Sequence, residues 1–146
     1  MSRSPLRLAA GAAALAILFL SGRAALQIYR AQRLVEAMSP ESLSQATLFE
    51  PGDSNAWARL GAVLEQRGED PEAAGRALER AVALNAYNVP ALLDLALHCE
   101  FQGETDRAYR YLEAANRLSR SYASRWALAN FYLRQGQMDS FWTVIR

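Results

Sequence analysis

The chain has no lysine, one histidine and one cysteine among its 146 residues. Its sixteen basic residues are therefore all arginine, which excludes Schiff-base chemistry and a lysine-bearing phosphate loop. Cys99 cannot close an internal disulfide, and no zinc-like Cys/His spacing occurs, so we expect a buried, inert thiol. Asp94 and His98, four residues apart, can face each other on a helix, where we expect a surface hydrogen bond rather than a catalytic dyad. We predict no enzymatic activity, no cofactor and no metal site.

Charge is divided unequally along the sequence. Residues 1–38 carry five arginines and one acid, whereas residues 39–146 carry eleven arginines and fourteen acids, for an overall net charge of +1. A mildly acidic region of this kind does not favour binding to phosphate backbones, so we expect no nucleic-acid partner.

An uncharged run of fifteen residues, Leu8–Gly22, follows a short basic leader. As a helix it covers about 22 Å of a hydrocarbon layer roughly 30 Å thick, which favours a signal peptide. The only small-residue pair at cleavage spacing encloses Arg23, however, and apolar residues continue at helical spacing to Met38. We predict that residues 1–38 form an uncleaved single-pass signal-anchor helix and its continuation, with the following region outside the cytoplasm. A cleaved signal peptide, giving a secreted soluble protein, and a buried soluble helix remain alternatives.

A sparse pattern of apolar and small residues recurs about every 34 positions, which is typical of stacked repeats that bind other proteins. The first copy comprises Trp57, Leu60, Gly61, Leu64, Gly68, Ala74, Leu78 and Ala81. The second comprises Leu92, Leu95, Ala96, Cys99, Gly103, Ala108, Leu112 and Ala115. A third begins at Trp126, Leu128, Ala129, Tyr132 and Gly136.

Residues typical of helix beginnings and ends predict that each repeat is a helical hairpin. Ser39 and Ser54 are expected helix caps, and Gly68 and Gly103 are expected to end helices in the left-handed conformation. Alanines on the facing helices should let hairpins nest, and a bulkier side chain there should cost about 1–3 kcal/mol. The predicted helices cover residues 40–49, 55–67, 71–84, 89–102, 105–118, 122–135 and a short one from 139.

The repeats resemble the tetratricopeptide repeat family in the first copy at Trp57, Leu60, Gly61, Leu64, Ala74, Leu78 and Ala81. The second copy departs from the family pattern with Leu92, Ala96 and Cys99 at its aromatic and glycine positions. The resemblance covers residues 39–146 as a partial repeat 39–53, repeats 54–88 and 89–121, and an incomplete repeat 122–146. It implies an all-α solenoid of stacked hairpins, preceded here by the N-terminal hydrophobic helix.

In that family the first helices of the hairpins form a concave surface that holds partner peptides. Carried over by position, the resemblance places these residues there: Asn55, Ala58, Ala62, Glu65, Gln66, Leu93, Leu97, Glu100, Phe101, Trp126, Asn130 and Arg134. We expect an apolar or amphipathic protein segment, anchored by Phe101, Trp126 and Arg134. Trp126 also falls close to a core aromatic position of the family, so packing within its hairpin is an alternative.

We therefore predict a non-catalytic interaction scaffold tethered to a membrane, and resemblance to membrane-tethered bacterial repeat proteins implies service to envelope or surface-polymer assembly. An accessory or regulatory segment of a larger enzyme is the alternative. The final hairpin is incomplete and leaves apolar residues such as Phe141 and Trp142 without a polar cap. We expect either a longer protein or an edge covered by a partner or by a second copy of the chain.

Overall fold

The computed structural model describes residues 39–68 and 70–146, together with Gln27, so the predicted N-terminal anchor otherwise lies outside the described residues. Residues 39–68 and 70–146 form seven α-helices and no strand. The helices are α1 Pro40–Phe49, α2 Ser54–Arg67, α3 Pro71–Leu84, α4 Val89–Phe101, α5 Thr105–Leu118, α6 Tyr122–Arg134 and α7 Met138–Ile145. None of the helices in this described part is both long and apolar enough to span a bilayer.

Polar residues set the beginnings of the helices, although not always the predicted ones. The hydroxyl of Ser39 accepts the amide of Ser42 at 3.1 Å, which confirms Ser39 as the cap of α1. The prediction that Ser54 caps α2 is wrong. Asp53 has the extended backbone of a cap, and its Oδ1 accepts the amide of Asn55 at 2.8 Å. Ser54 is consequently the first helical residue, and its hydroxyl is free to bond elsewhere.

Glycines reverse the chain after the first helix of each hairpin. Gly68 and Gly103 have φ values of +66° and +77°, as predicted, and Gly136 has +72°. Residues other than glycine rarely adopt this left-handed backbone conformation. These three glycines therefore end α2, α4 and α6 and turn the chain back. The result is three antiparallel pairs, α2/α3, α4/α5 and α6/α7, with α1 packed on α2.

Small side chains allow the helices to approach closely. A Cβ atom added at Gly61 would lie 2.5 Å from Cγ of Leu78, so only glycine fits there without a shift of Leu78. The four alanines predicted to nest between hairpins are fully buried. They are Ala74, Ala81, Ala108 and Ala115.

Neighbouring hairpins share both apolar and polar contacts. Leu78 of the first hairpin packs into the same cluster as Leu95 and Cys99 of the second. Beside this cluster, Nδ2 of Asn88 donates to the Ser54 hydroxyl at 2.7 Å, and that hydroxyl donates to the Ala81 carbonyl at 2.9 Å. α2 also contacts α4, and α4 contacts α6, so that the first helices of the three hairpins form one surface.

Candidate functional site

Two adjoining pockets lie on the surface formed by α2, α4 and α6. The α2–α4 pocket has a volume of about 200 Å³ and is lined by Ala62, Glu65, Gln66, Leu78, Asp94, Leu97 and Phe101. The α4–α6 pocket has a volume of about 240 Å³ and is lined by Leu93, Asp94, Leu97, Glu100, Leu112, Ala127, Asn130 and Arg134. Because Asp94 and Leu97 line both pockets, the two form one continuous groove across α4, which we call the groove.

Side-chain size explains why the pockets lie where they do. Each helix flanking α4 contributes one alanine to the lining beside larger side chains, Ala62 from α2 and Ala127 from α6. A methyl group leaves space beside a neighbouring helix that a larger side chain would fill. The pockets are therefore shaped by helices whose positions the packed core fixes.

The structure brings most of the predicted binding residues together in this groove. Those lining at least one pocket are Glu65, Gln66, Leu93, Leu97, Glu100, Phe101, Asn130 and Arg134, with Ala62 beside them. Asn55 lies outside both pockets, where its Oδ1 accepts a hydrogen bond from Asn88. The prediction for Ala58 is wrong, because this residue is only 6% exposed and packs against Ala81 and Ala91.

Trp126 also lies outside both pockets. It is 47% exposed, and its ring stacks on Tyr122 with centroids 6.0 Å apart and planes 9° apart. This contact is with a side chain of its own helix, which agrees with the alternative in which Trp126 packs within its hairpin. Phe101, in contrast, borders the α2–α4 pocket and is 69% exposed.

Two contacts between polar side chains connect the groove helices across repeats. Arg134 of α6 forms a bidentate ion pair with Glu100 of α4, with both N–O distances at 2.6 Å. The hydrogen bonds to Glu100 raise the pKa of Arg134. One repeat earlier, Nδ1 of His98 lies 2.7 Å from Oε2 of Glu65. The expected Asp94–His98 hydrogen bond is therefore wrong. The His98 ring reaches back to α2 and packs beside Gly75, where an added Cβ would lie 2.6 Å from Nε2.

Asp94 is the groove residue that the sequence analysis missed. Its side chain is partly buried between the two pockets and makes no hydrogen bond or ion pair with any other residue of 39–68 and 70–146. Removal of water from the carboxylate raises the pKa of Asp94. Its spacing from Leu97 and Phe101, three and seven residues on, places all three on one helix face and could have revealed it.

Similar folds occur among solved structures, although no family model and no curated protein matches the sequence. The protein MamA superposes with a TM-score of 0.67 at 21% identity, covering 83% of this chain and 73% of MamA. TTC0263, a thermophilic TPR protein of Thermus thermophilus, superposes with a TM-score of 0.64 at 25% identity, covering 72% of this chain and 59% of TTC0263. YrrB, described as a TPR protein with an unusual peptide-binding site, superposes with a TM-score of 0.60 at 19% identity, covering 72% of this chain and 54% of YrrB. The chain has the tetratricopeptide repeat fold.

Cys99 lies in the core and lines neither pocket of the groove. Burial raises the pKa of the Cys99 thiol, which lies in the core between α4 and its neighbours, so this thiol is a poor nucleophile. No cluster of three or more metal-ligating side chains occurs in the residues described, 39–68 and 70–146. What the groove offers is two shallow pockets, exposed apolar side chains and one carboxylate that pairs with no other described residue.

Proposed function

We propose that the tetratricopeptide repeat domain is a protein-interaction scaffold and that its groove holds a segment of another protein. The observation that carries this proposal is the continuous groove across α4, in which exposed Leu97 and Phe101 border the two pockets. Apolar side chains presented beside concave space are the usual features of a peptide-binding surface. YrrB, which has the same fold, is described as having a peptide-binding site, and this supports the proposal.

Site-specific photo-crosslinking in the producing cells would test the groove. A photoreactive amino acid at Leu97, in the groove, should trap a discrete protein partner, whereas the same amino acid at exposed Tyr87, outside both pockets, should not. Equal trapping from both positions, or none from Leu97, would argue against a partner in the groove.

Phe101→Ala should weaken the affinity for the trapped partner about 30-fold, since an aromatic anchor at an interface contributes about 2 kcal/mol. Tyr87→Ala, which removes a similarly exposed aromatic ring outside the groove, is the matched control and should leave the affinity unchanged. Titration calorimetry measures both affinities, and circular dichroism checks that both variants fold.

We further propose that residues 1–38 hold this scaffold at a membrane, with the repeats outside the cytoplasm, in the service of envelope or surface-polymer assembly. The uncharged run Leu8–Gly22 behind Arg3 and Arg7, and the apolar spacing that continues to Met38, support the tether. The role in envelope or surface-polymer assembly is supported by the sequence resemblance described above.

Membrane fractionation should leave the chain in the pellet after an alkaline carbonate wash, and protease added to spheroplasts should digest the repeats. Repeats that are cut only after detergent is added would reverse the proposed orientation. A mature N-terminus at Ala25, found by mass spectrometry, would instead support a cleaved and secreted protein.

A further inference from the structure

We propose that the groove selects a partner segment in which one basic side chain lies between two apolar ones. The basic side chain pairs with the Asp94 carboxylate, and the apolar side chains enter the α2–α4 and α4–α6 pockets. This inference rests on the proposed binding function of the groove and specifies the chemistry of its partner.

The charges of the groove favour a cation at one place. Three carboxylates line the pockets, and two of them already have partners, because Glu65 contacts His98 and Glu100 is held by both arms of Arg134. Arg134 also lines the α4–α6 pocket but is committed to Glu100, so it does not neutralise Asp94. Within the described part of the chain, Asp94 therefore remains an unpaired negative charge between the two pockets.

Binding of any partner strips the remaining water from Asp94. A neutral segment would leave a buried carboxylate without compensation, and an acidic segment would add repulsion, both of which oppose binding. An arginine or lysine at this position replaces the lost water with an ion pair. The same burial that penalises the free carboxylate thus gives the groove its preference for a basic partner.

The positions of the apolar pockets define the rest of the segment. One pocket lies on each side of α4, and Asp94 borders both. Packed helices lie about 8–10 Å apart, so the two pockets are separated by roughly that distance. On an α-helix, positions i and i+7 are about 10.5 Å apart and have i+3 and i+4 between them on the same face. A helical segment with apolar residues two turns apart and a basic residue between them fits this geometry.

Synthetic peptides test the inference with the 146-residue chain in mild detergent. The probe is a conformationally stapled helix with two leucines two turns apart and one arginine midway, and its companions carry glutamine or glutamate in place of the arginine. The wild-type chain should bind the arginine peptide about tenfold more tightly than the glutamine peptide, and the glutamate peptide more weakly still. Fluorescence anisotropy measures all three affinities.

Asp94→Asn should abolish the tenfold preference, because the arginine peptide loses its ion pair and the glutamine peptide no longer buries an uncompensated carboxylate and therefore binds more tightly. The variant loses no hydrogen bond or ion pair that Asp94 makes within residues 39–68 and 70–146, so it should fold, which circular dichroism verifies. Asp139→Asn, the same substitution at an exposed position of α7 outside the groove, is the matched control and should retain the preference.

The outcomes separate this inference from the function on which it rests. If the wild-type chain binds the arginine and glutamine peptides equally, or if Asp94→Asn keeps the preference, the groove still binds helical segments but the selectivity proposed for Asp94 is wrong. If none of the three peptides binds, both the selectivity and the proposed groove are overturned.

Discussion

Replacing Leu78 by alanine should lower the free energy of unfolding by about 2–5 kcal/mol, the range for removing a large aliphatic side chain from a packed core. Leu78 is fully buried. It contacts the α2 backbone near Gly61 and shares a cluster with Leu95 and Cys99 of the next hairpin, so its loss weakens both the hairpin and the stacking. Urea titration followed by circular dichroism measures the change. Leu48→Ala is the matched control, since Leu48 is 80% exposed on α1 and its removal should change stability by less than about 0.5 kcal/mol.

A second substitution makes this prediction specific to the close approach of α2 and α3. In the wild-type background Gly61→Ala should destabilise the domain, because the new methyl group would collide with Cγ and Cδ2 of Leu78. In the Leu78→Ala background these two atoms are absent and only the Ala74 carbonyl oxygen, at 3.1 Å, remains close to the new methyl group. Alanine also favours the helix by up to about 1 kcal/mol over glycine. Gly61→Ala should then be far less harmful. Costs that simply add would show that the two residues do not interact as described.

Replacing Asn88 by alanine should lower the free energy of unfolding by about 2–4 kcal/mol, summed from a helix cap worth about 1 kcal/mol and side-chain hydrogen bonds of about 1 kcal/mol each. Asn88 is buried, and its Oδ1 accepts the amide of Ala91 at the start of α4. Its Nδ2 donates to Ser54 and to Asn55 in the preceding repeat. One side chain therefore both begins a helix and joins two hairpins, and urea titration measures the combined loss.

The near-isosteric variant Asn88→Asp separates these two roles. It keeps an acceptor for the cap but at neutral pH has no donor for the oxygens of Ser54 and Asn55. Burial and those facing oxygens should raise the pKa of the introduced carboxyl, because a protonated acid can donate where a carboxylate cannot. A raised pKa in the folded state means that the protonated form of the introduced acid is favoured by folding, so the stability of the variant relative to wild type should be greatest at low pH and should fall as pH rises through that pKa. Stability equal to wild type at neutral pH would show that only the cap matters.

The sequence was sufficient to predict structure that depends on neighbours along the chain. Periodic apolar residues, the cap Ser39 and the turns at Gly68 and Gly103 predicted the helices within one or two residues of those observed. These features reflect local rules of helix formation, and the repeat spacing then indicated how the hairpins stack.

Errors arose where a side chain responds to the next repeat. Ser54 bonds to Ala81 and Asn88 instead of capping its own helix, and His98 turns to Glu65 rather than to nearby Asp94. Which of two polar groups a side chain meets depends on small distances between hairpins, which a single sequence does not encode as a spacing. The prominence of Asp94 in the groove has the same origin, because it follows from what the neighbouring helices leave unfilled.

Each half of the groove has its own side-chain contact between repeats. His98–Glu65 joins the helices beside the α2–α4 pocket, and Arg134–Glu100 joins those beside the α4–α6 pocket, with no side chain in common. Loosening one pair should therefore change the width of one pocket and leave the other as it was. A scaffold assembled in this way can evolve a new specificity at one end while it continues to recognise its existing partner at the other.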